Sequence, residues 1–228
     1  MNTVTALTTF FLANFLFFQD LTPIAKADGR TETFNSNFMS IWQPFIDAER
    51  KSRISSDQLE FERNALKASV NDHWKQDGNL ISFDGNGPSI ETIKQYTDFE
   101  LAFDWKISLR GDFVVLLKGV PGPRFWDYSK GPPETSKKGS GGLFLNKRFS
   151  PNPIQPADLT SGNWNTSRIR MRGDRVTVWL NDKKVVDGVP LENSWDRRKP
   201  IPINGPIGLQ ARGMPFQVRN MTIQSLEP

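Results

Sequence analysis

Residues 167–188, "SRIRMRGDRVTVWLNDKKVVDG", decide the fold. Ile169 and Met171 share one phase of a period-two pattern, Gly173-Asp174 fits a tight turn, and Val176, Val178 and Leu180 share the next phase. Asn181-Asp182 then offers a second turn before Val185 and Val186. Strands joined by two-residue turns run antiparallel, because parallel neighbours need a crossover of a dozen residues or more. The spacing predicts a three-stranded meander with one apolar face.

The same period extends on either side. "FELAFDWKI" (99–107) sets Phe99, Leu101, Phe103, Trp105 and Ile107 against Glu100, Ala102, Asp104 and Lys106, a half-buried strand. "FVVLLKG" (113–119) is continuously apolar from Phe113 to Leu117, as in a strand covered on both faces. "FQVRNMTIQ" (216–224) carries Phe216 and Val218 in one phase but Met221 and Ile223 in the other, which predicts a bulge near Arg219-Asn220. Upstream, Ser55 with Gln58 three residues later forms a capping box, and Leu59, Leu66 and Val70 recur at helical spacing. One amphipathic helix is expected over about residues 56–70, with its Glu and Arg residues solvated. Residues 119–160, rich in Gly, Pro, Ser and Lys, read as one long loop, and long loops in compact domains carry function. The sum is an all-β sandwich of two antiparallel sheets with one added N-terminal helix.

The chain has 228 residues, no cysteine and one histidine, with 29 Lys and Arg against 25 Asp and Glu. Its basic residues are scattered along the sequence, without the continuous stripe and stacking aromatics that nucleic-acid binding uses, so no nucleic-acid partner is expected. Without cysteine there is neither a disulfide framework nor thiolate chemistry. An apolar stretch from Ala6 to Phe18, followed by Ala25-Lys26-Ala27, predicts a signal peptide over residues 1–27, hence a secreted or periplasmic protein. An uncleaved N-terminal segment is the one expected route to a membrane. Residues 28–37 read as a flexible lead-in, and 38–228 as a single domain.

A lone histidine excludes a His-cluster zinc site and a two-histidine facial triad. "FDGNGPS" (83–89) reads as a turn, and Ser140 in "GSGGLF" lacks the flanks of a nucleophile elbow. Sugar recognition is the better lead. Rings are held by aromatic faces, and hydroxyls by charged or amide side chains. Such residues gather in three places: Arg124, Trp126 and Asp127; Glu192, Asn193, Trp195, Arg197 and Arg198; Gln210 and Arg212.

"HWKQDGNLISFDG", "YTDFELAFDWKI", "RFWD", "GSGGLF", "WNTSRIRMRGDRVTVWLNDKKVVD", "LENSWDRRKPIP" and "GPIGLQARG" followed by "QVRNMTI" occur in an order and spacing that resembles the 3-keto-disaccharide hydrolase family. The resemblance runs from about Phe38 to Leu226. It implies a concanavalin A-like jelly roll with a carbohydrate-facing concave surface, and cleavage of glycosides already oxidised at C3. A C3 ketone acidifies the C2 proton; a base removes it, a positive group or a divalent metal holds the enolate, the C1 substituent leaves, and water adds. Asp127 is then the expected base or metal ligand, with His73 as a second acid/base. Arg124, Trp126, Glu192, Gln210 and Arg212 are the expected substrate binders. No cofactor is certain, and a divalent metal is a candidate. The alternative is a non-catalytic glycan-binding module. Two positions depart from the family pattern: Phe113-Val114 stand where Ser-Gly is usual, and Arg212 stands where histidine is usual.

Overall fold

The computed structural model describes residues 31–34, 37–130 and 138–226. Residues 1–30, which include the expected signal peptide, lie outside them. Among the described residues, no helix is long and apolar enough to cross a membrane.

Two antiparallel sheets face each other. The five-stranded sheet runs β2 (Trp42–Pro44), β5 (Ile90–Tyr96), β12 (Gly205–Ala211), β7 (Asp112–Leu117), β8 (Val120–Trp126). The eight-stranded sheet runs β11 (Lys183–Pro190), β10 (Arg175–Leu180), β9 (Asn165–Arg172), β6 (Phe99–Ile107), β13 (Phe216–Ser225), β4 (Leu80–Phe83), β3 (Trp74–Asp77), with β1 (Thr31–Thr33) also paired to β13. The helices are α1 (Phe38–Ile41), α2 (Ala48–Lys51) and α3 (Ser56–His73).

The expected meander is β9-β10-β11. Asn181 and Asp182 both have positive φ, 48° and 64°. That is the backbone a two-residue hairpin turn with the sheet's own twist requires. β6 alternates buried and half-buried along its whole length, and β7 is buried from Phe113 to Leu117. The bulge in β13 falls where the phase changes: its register with β6 shifts between Arg219 and Thr222, with Asn220 at φ 54°.

The core between the sheets is rich in rings. Phe113 of β7 stacks on Phe216 of β13 at 4.4 Å between centroids, and Phe125 of β8 meets Trp105 of β6 at 5.0 Å. Trp105 donates its indole N–H to the buried Ser167 hydroxyl at 2.9 Å, so its polar atom is satisfied. Removing one such ring costs about 3–5 kcal/mol.

Three expectations are corrected. The first part of the supposed loop 119–160 is β8; its Pro121 and Pro123 obscured it, but it is the outer strand of its sheet, where prolines are tolerated. Residues 31–33 of the supposed flexible lead-in pair with β13, and Phe34 is buried. The helix starts as read, with Ser55 Oγ accepting the Gln58 N–H, but runs on to His73 and buries only Val70. Its charged side chains are not all solvated either: Arg63 reaches down to a buried carboxylate, Glu91.

Candidate functional site

Strand alternation sorts the five-stranded sheet into two faces. Phe113, Val115, Leu117, Ile207 and Leu209 join the core. Asp112, Val114 and Leu116 of β7, Gly208 and Gln210 of β12, and Arg124 and Trp126 of β8 therefore project from the outer face. Pairing aligns Gln210 with Val114, Val114 with Arg124, and Asp112 with Trp126. Gly208 is required here, since a Cβ would lie 2.7 Å from Leu116 Cδ1 and 2.9 Å from the Ile90 carbonyl oxygen.

Asp112 is the centre of this face. Arg124 donates Nε to Oδ1 at 2.9 Å and Nη2 to Oδ2 at 2.8 Å, a bidentate fork. Arg212 donates Nε to the same Oδ2 at 2.8 Å. Aromatic rings hold the guanidiniums flat: Arg124 lies 4.5 Å from the Trp126 ring and 5.4 Å from Phe144, and Arg212 5.3 Å from Phe144. Gln210 Oε1 is buried on this face with no hydrogen-bond partner among the described residues. A cavity of about 200 Å³ opens beside the group, lined by Arg124, Trp126, Lys138, Phe144 and Asn152 among others.

Trp126 also walls a second cavity of about 280 Å³, which contains Asp127, Tyr128, Ser129, Asp158, Thr160 and Ser161. Burial pushes the Asp127 carboxyl up, but hydrogen bonds from Ser129, the Arg110 N–H and Ser161 outweigh it and hold the group below its ordinary range. The bonds from Ser129 Oγ and Arg110 N measure 2.6 and 2.8 Å. Asp158 moves the other way: burial raises its carboxyl, only partly offset by bonds from Ser140. Ser140 itself is buried between Asp158 and the Trp126 backbone, in keeping with its reading as no nucleophile.

The expected site residues separate. Arg124, Trp126 and Arg212 come together around Asp112, with Gln210 in the adjoining row. Asp127 lies on the far side of Trp126 and secures the turn at Arg110 and Ser129. Among the described residues no hydrogen bond links His73 to either; at the end of α3, its Nδ1 sits 2.9 Å from Asp84 Oδ2. Asp84 belongs to "FDGNGPS", a turn as read, with its Oδ1 accepting the Asn86 N–H. Glu192 is a correction of a plainer kind. It is 3% exposed, its Oε1 accepts the N–H groups of Lys147, Arg148 and Phe149, and its Oε2 accepts Arg197 Nη1. Burial pushes that carboxyl up, but the three N–H bonds and Arg197 win and bring it down to about 2. Oε1 is committed to residues 147–149 and Oε2 to Arg197, so neither is free for a sugar.

Asp112 and Glu91 were missed. Asp112 was visible only as the residue beside the Phe113 departure; its opposite numbers, Trp126 and Arg212, lie 14 and 100 residues away. Metal binding finds no donor set in support: among the described residues there is no group of three or more His, Cys, Asp or Glu placed to hold an ion. The positive groups that touch Asp112 are the guanidiniums of Arg124 and Arg212.

Two antiparallel sheets that carry arginines, a carboxylate and aromatic rings on one outer face define a jelly-roll domain suited to carbohydrate. The chain belongs to the 3-keto-alpha-glucoside-1,2-lyase-like domain family, whose model matches residues 29–224. Family and fold together place it among carbohydrate-active proteins. Two solved structures, each described as a "putative glycosyl hydrolase" from Parabacteroides distasonis, share the fold. One has 22% identity and a TM-score of 0.51 over 68% of this chain and 83% of that one. The other has 21% identity and a TM-score of 0.52 over 68% and 91%. No curated protein matches the chain.

Proposed function

We propose that the protein cleaves glycosides oxidised at C3, with the reacting ring held on the outer face of the five-stranded sheet. The observation that carries this reading is the Arg124–Asp112–Arg212 group beside an aromatic-walled cavity, in a chain of this family. Asp112 takes the C2 proton, and the C–H electron pair moves into the C2–C3 bond as the ketone oxygen becomes an enolate. Arg124 and Arg212 face that oxygen and stabilise the charge as it develops, which is where preorganised donors contribute most. The pair then returns to form C1=C2 and expels the C1 substituent, which takes up a proton; water adds across the double bond. Trp126 and Phe144 supply ring faces, and the unpartnered Gln210 Oε1 accepts a hydroxyl. Asp127 suits the base role less, because it is taken up in the turn at Arg110 and Ser129, away from the two guanidiniums that would hold the enolate.

Incubation with 3-keto-trehalose and 3-keto-glucosides, with and without divalent metal, tests the reading: 3-keto sugar is expected as product. Binding of these compounds without turnover would replace it with the lectin-like alternative.

A further inference from the structure

The outer face of the eight-stranded sheet holds a second concentration of chemistry, far from scattered. On β6, β9, β10 and β13 the core takes one set of alternate residues. The outward set contains six cations, Lys106, Arg168, Arg170, Arg172, Arg175 and Arg219, and two carboxylates, Glu100 and Asp104. Four net positive charges on this one face equal the whole formal excess of the chain, +4. Taking six from the 29 basic residues and two from the 25 acidic ones leaves 23 of each elsewhere.

The arrangement is ordered. Arg172 stands directly opposite Arg175 across the β9–β10 ladder, so two of the six cations share one cross-strand position. Arg168 lies 3.7 Å and Arg170 5.3 Å from the Trp179 ring, while both donate to Glu100, at 3.2 and 2.9 Å. Arg219 and Lys106 likewise cover Trp164, at 4.0 and 4.8 Å. Rings beneath and carboxylates beside them fix the guanidinium forks in place, and the side chains of Arg168, Arg170 and Arg219 stay part-exposed. Along β9, Arg168, Arg170 and Arg172 repeat every second residue, about 6.6 Å apart.

We propose that this face docks an acidic polysaccharide, with carboxylates of successive units meeting the arginine row of β9 and the flanking Arg175. Single-stranded nucleic acid fits less well, because it needs bare aromatic faces for base stacking, and here guanidiniums cover both indoles. A bilayer fits less well too, because interfacial binding wants exposed apolar anchors. None of the exposed large apolar residues of the described chain lies on these four strands. The proposal does not depend on the reaction assigned to the opposite sheet.

Titration calorimetry of the full chain with polygalacturonate, against neutral dextran, tests it. Binding to polygalacturonate alone is expected, weakening with salt on a log–log slope of order −2 to −4, as release of a few counterions requires. The triple variant Arg170→Gln/Arg172→Gln/Arg175→Gln should lose at least tenfold in affinity while its thermal melt and its turnover of 3-keto substrate are retained. If that variant does not fold, the salt slope of the unaltered chain decides. No binding, a flat salt dependence, an unchanged triple variant, or tighter binding to phosphatidylglycerol vesicles or duplex DNA at equal charge concentration would each overturn the proposal.

Discussion

Two carboxylates on the outer face of the five-stranded sheet are each gripped by two cations, yet they do different work. Glu91 of β5 receives Lys51 Nζ at 2.9 Å and Arg63 Nη2 at 2.6 Å, with its side chain 1% exposed. Asp112 of β7 receives Arg124 and Arg212, with its side chain 15% exposed and the guanidiniums 27% and 35% exposed. The cations of Glu91 arrive from α2 and α3, which lie across that end of the sheet. Those of Asp112 arrive from the neighbouring strand β8 and the end of β12, and no helix among the described residues supplies one. One triad fastens helices to the sheet; the other lies beside a cavity that its Arg124 lines. Cover, rather than charge pattern, separates the latch from the site.

The strongest way to break this comparison is to cut the latch. α3 buries only Val70, so its attachment leans on Glu91. Replacing one member of a buried ion group leaves the others uncompensated, at about 3–5 kcal/mol. Glu91→Ala is expected to lower stability in urea by that amount. A loss under about 1 kcal/mol would mean that α2 and α3 are held by something else.

Asp112→Asn comes next. Losing the base is expected to lower kcat/KM on 3-keto substrates by about 10²- to 10⁴-fold. Stability should fall by only about 1–2 kcal/mol, since the site is partly solvated and the amide oxygen still accepts one guanidinium. Retained turnover would move the base elsewhere, with Asp127 the first place to look.

The same contrast explains what was legible in the sequence. Elements written as local periodicity were: the β9–β11 meander, the alternation of β6, the buried run of β7, the phase break at Asn220 and the Ser55 cap. Each depends on neighbours within a few residues. β8 was hidden because Pro121 and Pro123 are turn-formers unless the strand is known to be an outer one. Site residues depend on pairing between distant strands. Arg124, Trp126, Gln210 and Arg212 were chosen because their types suit sugar chemistry, and the structure brings Arg124, Trp126 and Arg212 together; Glu192 has the same type but is consumed by three backbone N–H groups. Asp112 and Glu91 look like ordinary polar positions until β7, β8, β12 and α3 are assembled around them. The six cations of the other sheet were equally invisible, since four strands had to be laid side by side to gather them.

Glu192 sharpens the comparison as a third, buried carboxylate, fed mainly by backbone donors. Its folded pKa is about 2 against an ordinary 4.5. A depressed carboxyl stabilises the fold fully above the ordinary value, and loses that contribution as pH falls from about 4.5 toward about 2. The urea midpoint should therefore drop across this window, and drop less in Glu192→Gln. At neutral pH that variant should be less stable by about 1–3 kcal/mol, the cost of weakening hydrogen bonds to a buried charge. Parallel midpoint curves for the two proteins would show that the N–H cluster does not favour the charged form.

The smallest effect is asked of Arg212, and it bears most directly on what the departure from the family's histidine means. Arg212 gives Asp112 one bond, where Arg124 gives two, and it is the more exposed of the pair. Arg124 alone therefore suffices to keep the carboxylate in position, and in the proposed reaction Arg212 contributes charge at the enolate oxygen. Arg212→Gln is expected to lower kcat/KM about tenfold, some 1.4 kcal/mol of transition-state stabilisation, with stability changed by less than about 0.5 kcal/mol. Arg212→Lys keeps the charge but loses the planar fork over Phe144, so it should fall between the two. Arg212→His should recover activity only as the imidazole gains its proton, so its rate relative to the unaltered chain should rise on acidification below about pH 6.5. If the glutamine variant turns over at the full rate, Arg124 holds the enolate unaided, and the second cation on Asp112 is a fastening of the same kind as Lys51 on Glu91.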